Sequence, residues 1–221
     1  MPRNSDSKSI FRDRLDAADQ LIEAMPIESL KEQQVTVLAI SEGAVPIADR
    51  VAQALGAPMD LFFSEPIPAP NNPDLPIARI SETQTLVMDR ALIDSFGIDE
   101  EYVYNEAKRR HDDAILSRVY RYRHGEPIPP MADRVVVLAD TCVETGLTAL
   151  TAIKSMIEAG AQNVYIAVPI LDASVQENLI TVCDGVYSPH TIRDYIAVDY
   201  YYDDIEPLSE ETIERILQTY E

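Results

Sequence analysis

Two rhythms of apolar residues take turns along this chain. Residues 35–40, 59–63, 135–138 and 164–170 are short, nearly continuous apolar runs, the pattern of strands buried on both faces. Residues 16–25, 45–55 and 149–159 instead repeat apolar positions at three- and four-residue spacing, which predicts helices, with Gly56 and Gly160 placed to end the last two. Strand and helix alternate, and that order predicts a parallel α/β sheet flanked by helices. Residues 78–88 have the alternation of a hairpin turning at Glu82-Thr83-Gln84, and 100–122 read as one long helical stretch ending before His124-Gly125. Residues 177–182 suggest a further short helix, 186–187 and 195–198 the closing strands, and 209–217 a C-terminal helix capped by Ser209. The segment 65–73 is so rich in proline that it predicts a rigid loop, because each ring removes a donor and restricts the residue before it. With no internal repeat, the expectation is a single domain over 11–221, carrying a small hood or hairpin element, behind a flexible tail at 1–10.

The chemistry concentrates where the run Val135-Val136-Val137-Leu138-Ala139 meets Asp140 and then Thr141-Cys142-Val143-Glu144-Thr145-Gly146-Leu147-Thr148. A strand, a short loop and a helix in that order place Thr145, Gly146 and Thr148 at a helix N-terminus, where unpaired backbone N–H groups and the positive dipole end favour an anion. Gly146 permits close backbone approach to a phosphate, and the two hydroxyls can donate to it. The plainer alternative is that both threonines only cap the helix.

This segment resembles the signature of the type I phosphoribosyltransferases, an apolar strand, two acids and a Thr-Gly-x-Thr turn. The resemblance extends from Phe11-Arg12-Asp13-Arg14 through Asn72-Pro73-Asp74-Leu75 to Asp184-Gly185-Val186 and Ala197-Val198-Asp199, and matches a subgroup of uncharacterised predicted phosphoribosyltransferases. It implies a single-domain α/β fold of that type. It further implies that Thr145, Gly146, Leu147 and Thr148 bind the 5′-phosphate of phosphoribosyl pyrophosphate (PRPP), that Asp140 holds ribose hydroxyls, and that Ser41, Glu42, Gly43 and Ala44 form the pyrophosphate loop. Two departures stand out. Thr141 occupies the place of the second acid, and Glu42 stands where the subgroup carries Arg. Glu144 falls near the base-binding position of some relatives, where it either assists the reaction or points to solvent. Arg118 and its basic neighbours from Lys108 to Arg123 are candidates to offset Glu42, the alternative being an exposed face paired with nearby acids. The run Tyr200-Tyr201-Tyr202 is expected either to stack on a nucleobase or to serve a homodimer interface.

Charge sharpens the question. The chain has 18 Lys+Arg against 38 Asp+Glu, a formal charge of −20, which argues against nucleic-acid partners and anionic membrane surfaces. An acid within roughly 4 Å of pyrophosphate costs on the order of a few kcal/mol, so PRPP binding implies Mg²⁺. The histidines His111, His124 and His190 have no metal-ligand spacing, and no protein metal site is expected. Only two cysteines and no apolar leader fit a reducing cytoplasm. Two functions remain open: a transferase of phosphoribosyl to a base or amine, with PRPP or a nucleotide monophosphate as ligand, and a non-catalytic nucleotide sensor or regulatory partner. A hydrolase on a similar sheet lacks any recognisable nucleophile or Walker loop.

Overall fold

The computed structural model describes residues 9–220. The chain runs α1 (Arg14–Glu23), α2 (Ile27–Lys31), β1 (Val35–Ala39), α3 (Val45–Leu55) and β2 (Met59–Leu61), then β3 (Ser64–Ala69), β4 (Asn72–Ser81) and β5 (Leu86–Met88). Helices α4 (Arg90–Phe96), α5 (Glu100–Arg110) and α6 (Leu116–Arg123) follow, the last two joined by a π-helical segment at His111–Ile115. Next come β6 (Val135–Ala139), α7 (Leu147–Glu158), β7 (Asn163–Ala167), β8 (Ile170–Asp172) and α8 (Ala173–Val182). The chain closes with β9 (Gly185–Tyr187), β10 (His190–Ile192), α9 (Val198–Tyr201) and α10 (Glu210–Leu217).

The main sheet is parallel in the order β2-β1-β6-β7-β9. Its central strands are apolar throughout because both faces are covered. Val37, Ala39, Val137 and Ala139 pack into one core with Ala48 and Val51 of α3, whereas Leu38, Val136 and Leu138 pack into another with Ala152 and Met156 of α7. From β1 the chain steps outward to β2, and it later returns to place β6 on the other side of β1. The C-terminal ends of β1 and β6 therefore form a topological switch point, the crevice where open α/β sheets bind ligands. Ala39 and Ala139 are in register, so the residues that follow them emerge side by side.

The proline-rich segment is not a loop. It forms β3 and the start of β4, joined through Pro70-Asn71 and completed by β5 into a three-stranded antiparallel sheet. The prolines are tolerated because β3 is an edge strand paired only with β4, with Pro68 opposite Pro76, and β5 joins β4 only from Ala78 onward. Where no neighbouring strand needs the N–H, its absence costs no ladder bond. The expected strand at 195–198 is also absent; β10 forms earlier and pairs with β8, while Val198 opens a helical turn. Ser9 and Ile10 bond to Asp203 and Tyr201, and the rest of the tail expected at 1–10 lies outside the described residues.

Candidate functional site

Asp140 follows β6 directly and is buried at the switch point. Its Oδ1 accepts hydrogen bonds from Ser41 Oγ at 2.6 Å and from the Thr141 backbone N–H at 2.8 Å. Its Oδ2 accepts none among the described residues. Burial raises the pKa of Asp140 above the ordinary carboxylate range, opposed by the Ser41 hydroxyl, the Thr141 amide and the charge of Arg79.

A cleft of about 280 Å³ opens over this carboxylate, lined by Ser41, Glu42, Asp140 and Thr148 from the expected site and by Ser64, Glu65, Arg79 and Arg118 from elsewhere. Glu42 does face it. Arg118 lies between two acids, ion-paired with Glu65 and 3.9 Å from Glu42, and Arg110 adds a contact to Glu65 at 3.7 Å. Of the basic stretch, then, Arg118 lines the cleft and Arg110 contacts it only through Glu65. Arg109, Arg121 and Arg123 pair instead with acids away from the cleft: Arg109 with Glu106 and Asp113, Arg121 with Glu210, and Arg123 with Glu82.

The other expected residues sit around this centre. Gly43 contributes its carbonyl to Arg14 Nε at 2.9 Å, and the Ala44 N–H closes the turn onto the Ser41 carbonyl at 3.1 Å. Gly146 caps α7 in the left-handed region at φ 78°, and Leu147 begins that helix. Glu144 and Thr145 are exposed and do not line the cleft. Thr141 carries no acid into it; its N–H serves Asp140 and its carbonyl accepts from Tyr202 Oη at 3.0 Å. Among the described residues, no group of three or more His, Cys, Asp or Glu is placed to hold a metal ion by itself.

The loop after β6 is held from behind. Val143 exchanges backbone bonds with the β8 region, Val143 N–H to Ile170 at 3.0 Å and Asp172 N–H to Val143 at 2.9 Å. Tyr201 and Tyr202 are buried beneath it with Phe11, so neither is available to a nucleobase or to a partner surface; only Tyr200 is exposed. The tyrosine run is thus mainly a prop for the loop. Tyr195 Oη reaches Cys142 Sγ at 3.4 Å, and burial together with the Asp140 charge pushes the Cys142 thiol up to about 11. At pH 8 only about one thiol in a thousand is then thiolate. Iodoacetamide at that pH is expected to leave Cys142 unmodified in peptide mass mapping of the folded protein; rapid alkylation would show the loop to be open.

The phosphoribosyl transferase domain model matches residues 7–205. The chain belongs to this family. Two Mycobacterium tuberculosis proteins, from strains CDC 1551 and H37Rv and each named "Putative phosphoribosyl transferase", are 28% identical to it over 204 residues, 92% of this chain and 45% of theirs. The chain spans about half the length of these curated relatives. TT1426 from Thermus thermophilus, a crystal structure, superposes with a TM-score of 0.78 at 31% identity over 95% of this chain and 98% of that one. As a phosphoribosyl transferase family member the chain has its parallel sheet and flanking helices as expected. Arg79, Ser64 and Glu65 are polar cleft residues that the sequence did not place there, whereas Arg118 belongs to the basic stretch expected to offset Glu42. A single basic residue inside the apolar alternation Ile77-Ala78-Arg79-Ile80 was the available signal for Arg79.

Proposed function

We propose that the cleft binds PRPP and transfers its phosphoribosyl group to a base or amine. Asp140 carries this reading: a buried carboxylate at the switch point, with Oδ1 fixed by Ser41 and Thr141 and Oδ2 open to accept from ribose hydroxyls. The 5′-phosphate would rest on the N-terminus of α7, with Thr145 and Thr148 as hydroxyl donors. An acceptor nitrogen forms the bond to C1 of the ribose as the C1–O bond to pyrophosphate breaks, the electron pair leaving with pyrophosphate. Positioning of the two reactants and stabilisation of positive charge at C1 by Asp140 are the protein's contributions.

Mg²⁺ fits the donor chemistry of the cleft. It keeps several waters and needs only one or two carboxylates beside substrate phosphates, and Asp140, Glu42 and Glu65 offer them. Bound there, it offsets the charge of the diphosphate. A homodimer belongs to the same proposal, supported by Leu116 and Tyr120, exposed one turn apart on α6. So does a cytoplasmic location, for which the two free cysteines speak; no described helix is long and apolar enough to cross a membrane.

A second reading, a nucleotide-binding protein without transferase activity, draws on Thr141 in the second acid position and on Glu42 in the pyrophosphate loop. The two are separated by incubating the protein with PRPP, Mg²⁺ and a panel of purines, pyrimidines and amines. Acceptor-dependent pyrophosphate release is the expected result. Binding of PRPP without release for any acceptor would favour the second reading.

A further inference from the structure

We propose that Arg79 is the cation that binds the diphosphate group in this cleft, an inference that rests on the transferase reading of the same site. The loop between β1 and α3 offers no positive charge of its own, since Ser41-Glu42-Gly43-Ala44 contains an acid and no base. Two arginines line the cleft, and they differ in how they are engaged. Arg118 is already held by Glu65 and lies near Glu42. Arg79 has no carboxylate within salt-bridge distance among the described residues.

What Arg79 does have is a scaffold. It lies mid-way along β4, opposite Pro66 of β3 and Val87 of β5, with Ala78 and Ile80 on either side buried in the core. Its Nη1 donates to the Ser64 carbonyl at 3.2 Å and to Ser64 Oγ at 2.9 Å, which fixes the plane of the guanidinium. Its Nε is buried without a partner, and its Nη2 donates to nothing among the described residues. A largely buried guanidinium with unused donors is costly unless an anion joins it. The charge of Asp140 is nearby, but the two form no direct pair. Burial lowers the pKa of Arg79, yet a guanidinium stays charged at any physiological pH.

The geometry also selects which anion. A 5′-phosphate has the backbone donors and dipole of α7 together with Thr148, whereas a diphosphate beside Ser41 would meet Glu42 and, with Arg118 already engaged by Glu65, Arg79 as the lining arginine without a carboxylate partner among the described residues. A preorganised planar fork is the side chain best suited to two oxygens of one phosphate. The positive charge absent from the first loop is thus supplied from the antiparallel sheet.

The test compares wild type, Arg79→Gln and Arg79→Lys by calorimetric titration with magnesium pyrophosphate and, separately, with ribose 5-phosphate, after thermal melts of all three. Arg79→Gln is expected to weaken pyrophosphate binding about tenfold or more, with ribose 5-phosphate changed by less than about threefold and Arg79→Lys intermediate. Equal pyrophosphate affinity in wild type and Arg79→Gln would overturn the assignment, as would no pyrophosphate binding by wild type. Parallel loss of both ligands with a lowered melting temperature in both variants would also overturn it, marking a structural role. If pyrophosphate binding falls as expected but no protein binds ribose 5-phosphate, Arg79 keeps its role and the transferase reading fails.

Discussion

Replacing Gly146 with alanine is expected to destabilise the fold by about 2–5 kcal/mol and to abolish binding of 5′-phosphates. Two independent effects add. Gly146 has φ 78°, a conformation that costs a residue with a Cβ about 1–2 kcal/mol. A Cβ built there would also lie 2.5 Å from Val175 Cγ1, where α8 packs beneath the start of α7. Since Val175 is itself buried, it has little room to yield, and overpacking of this kind costs about 1–3 kcal/mol. For a chain of this length each kcal/mol corresponds to about 2–4 °C in Tm, so calorimetry resolves the loss easily. The double variant Gly146→Ala/Val175→Ala should recover the steric part and not the conformational part. A Gly146→Ala protein that melts with wild type would mean that the turn is shaped differently. The glycine therefore has a structural role of its own: it lets the loop turn into α7 against α8.

Arg123→Met is expected to cost about 3–5 kcal/mol at pH 8, because it leaves two acids without their cation. Arg123 is largely buried, ion-paired with Glu82, 3.7 Å from Asp60 Oδ2, and stacked 5.0 Å over the Phe63 ring. Glu82 in turn accepts from the Phe63 N–H at 2.9 Å, and Phe63 lines the cleft. This cluster fastens the end of α6, the helix that carries Arg118, to the sheet beside β2. Burial already raises the pKa of both Glu82 and Asp60, with the Arg123 charge the chief opposing influence. Removing that charge raises them further. An acid with a raised folded-state pKa binds its proton more tightly when folded, so stability is retained at low pH and lost as pH rises from the unfolded value toward the folded one. The deficit of Arg123→Met should accordingly be smaller at pH 5 than at pH 8 in urea unfolding, and Arg123→Met/Glu82→Gln should regain part of it. Equal deficits at both pH values would contradict a charge origin.

How much of the molecule was legible in the sequence depends on the kind of contact involved. The central strands were legible because Val135 to Ala139 is buried on both faces, which demands an unbroken aliphatic run. The crossover helix was legible to the residue, since Val45–Leu55 has strong periodicity and ends in Gly56 in the left-handed region. The edge strand β3 was not, because proline content argues against a ladder and only the tertiary arrangement reveals that the missing donors are not needed. Tyr201 and Tyr202 were misread for a related reason: nothing local indicates that they lie beneath the loop after β6. At the site, Ser41, Glu42, Asp140 and Thr148 converge because they follow adjacent parallel strands. Arg79, Ser64 and Arg118 reach the same cleft through an antiparallel sheet and a helical arm remote in sequence, a juxtaposition that periodicity does not encode. The orientation of Glu42 toward the cleft likewise required the fold.

The most direct measurement is calorimetric titration of the purified protein with PRPP, with and without Mg²⁺, alongside AMP and the Asp140→Asn variant. Asparagine can keep the Oδ1 acceptor used by Ser41 and Thr141 while removing the charge offered to ribose and Mg²⁺, so the variant should stay folded. Mg²⁺-dependent PRPP binding is expected, weakened by about tenfold or more in Asp140→Asn. No PRPP binding by wild type under either condition, or equal binding by the variant, would contradict this expectation.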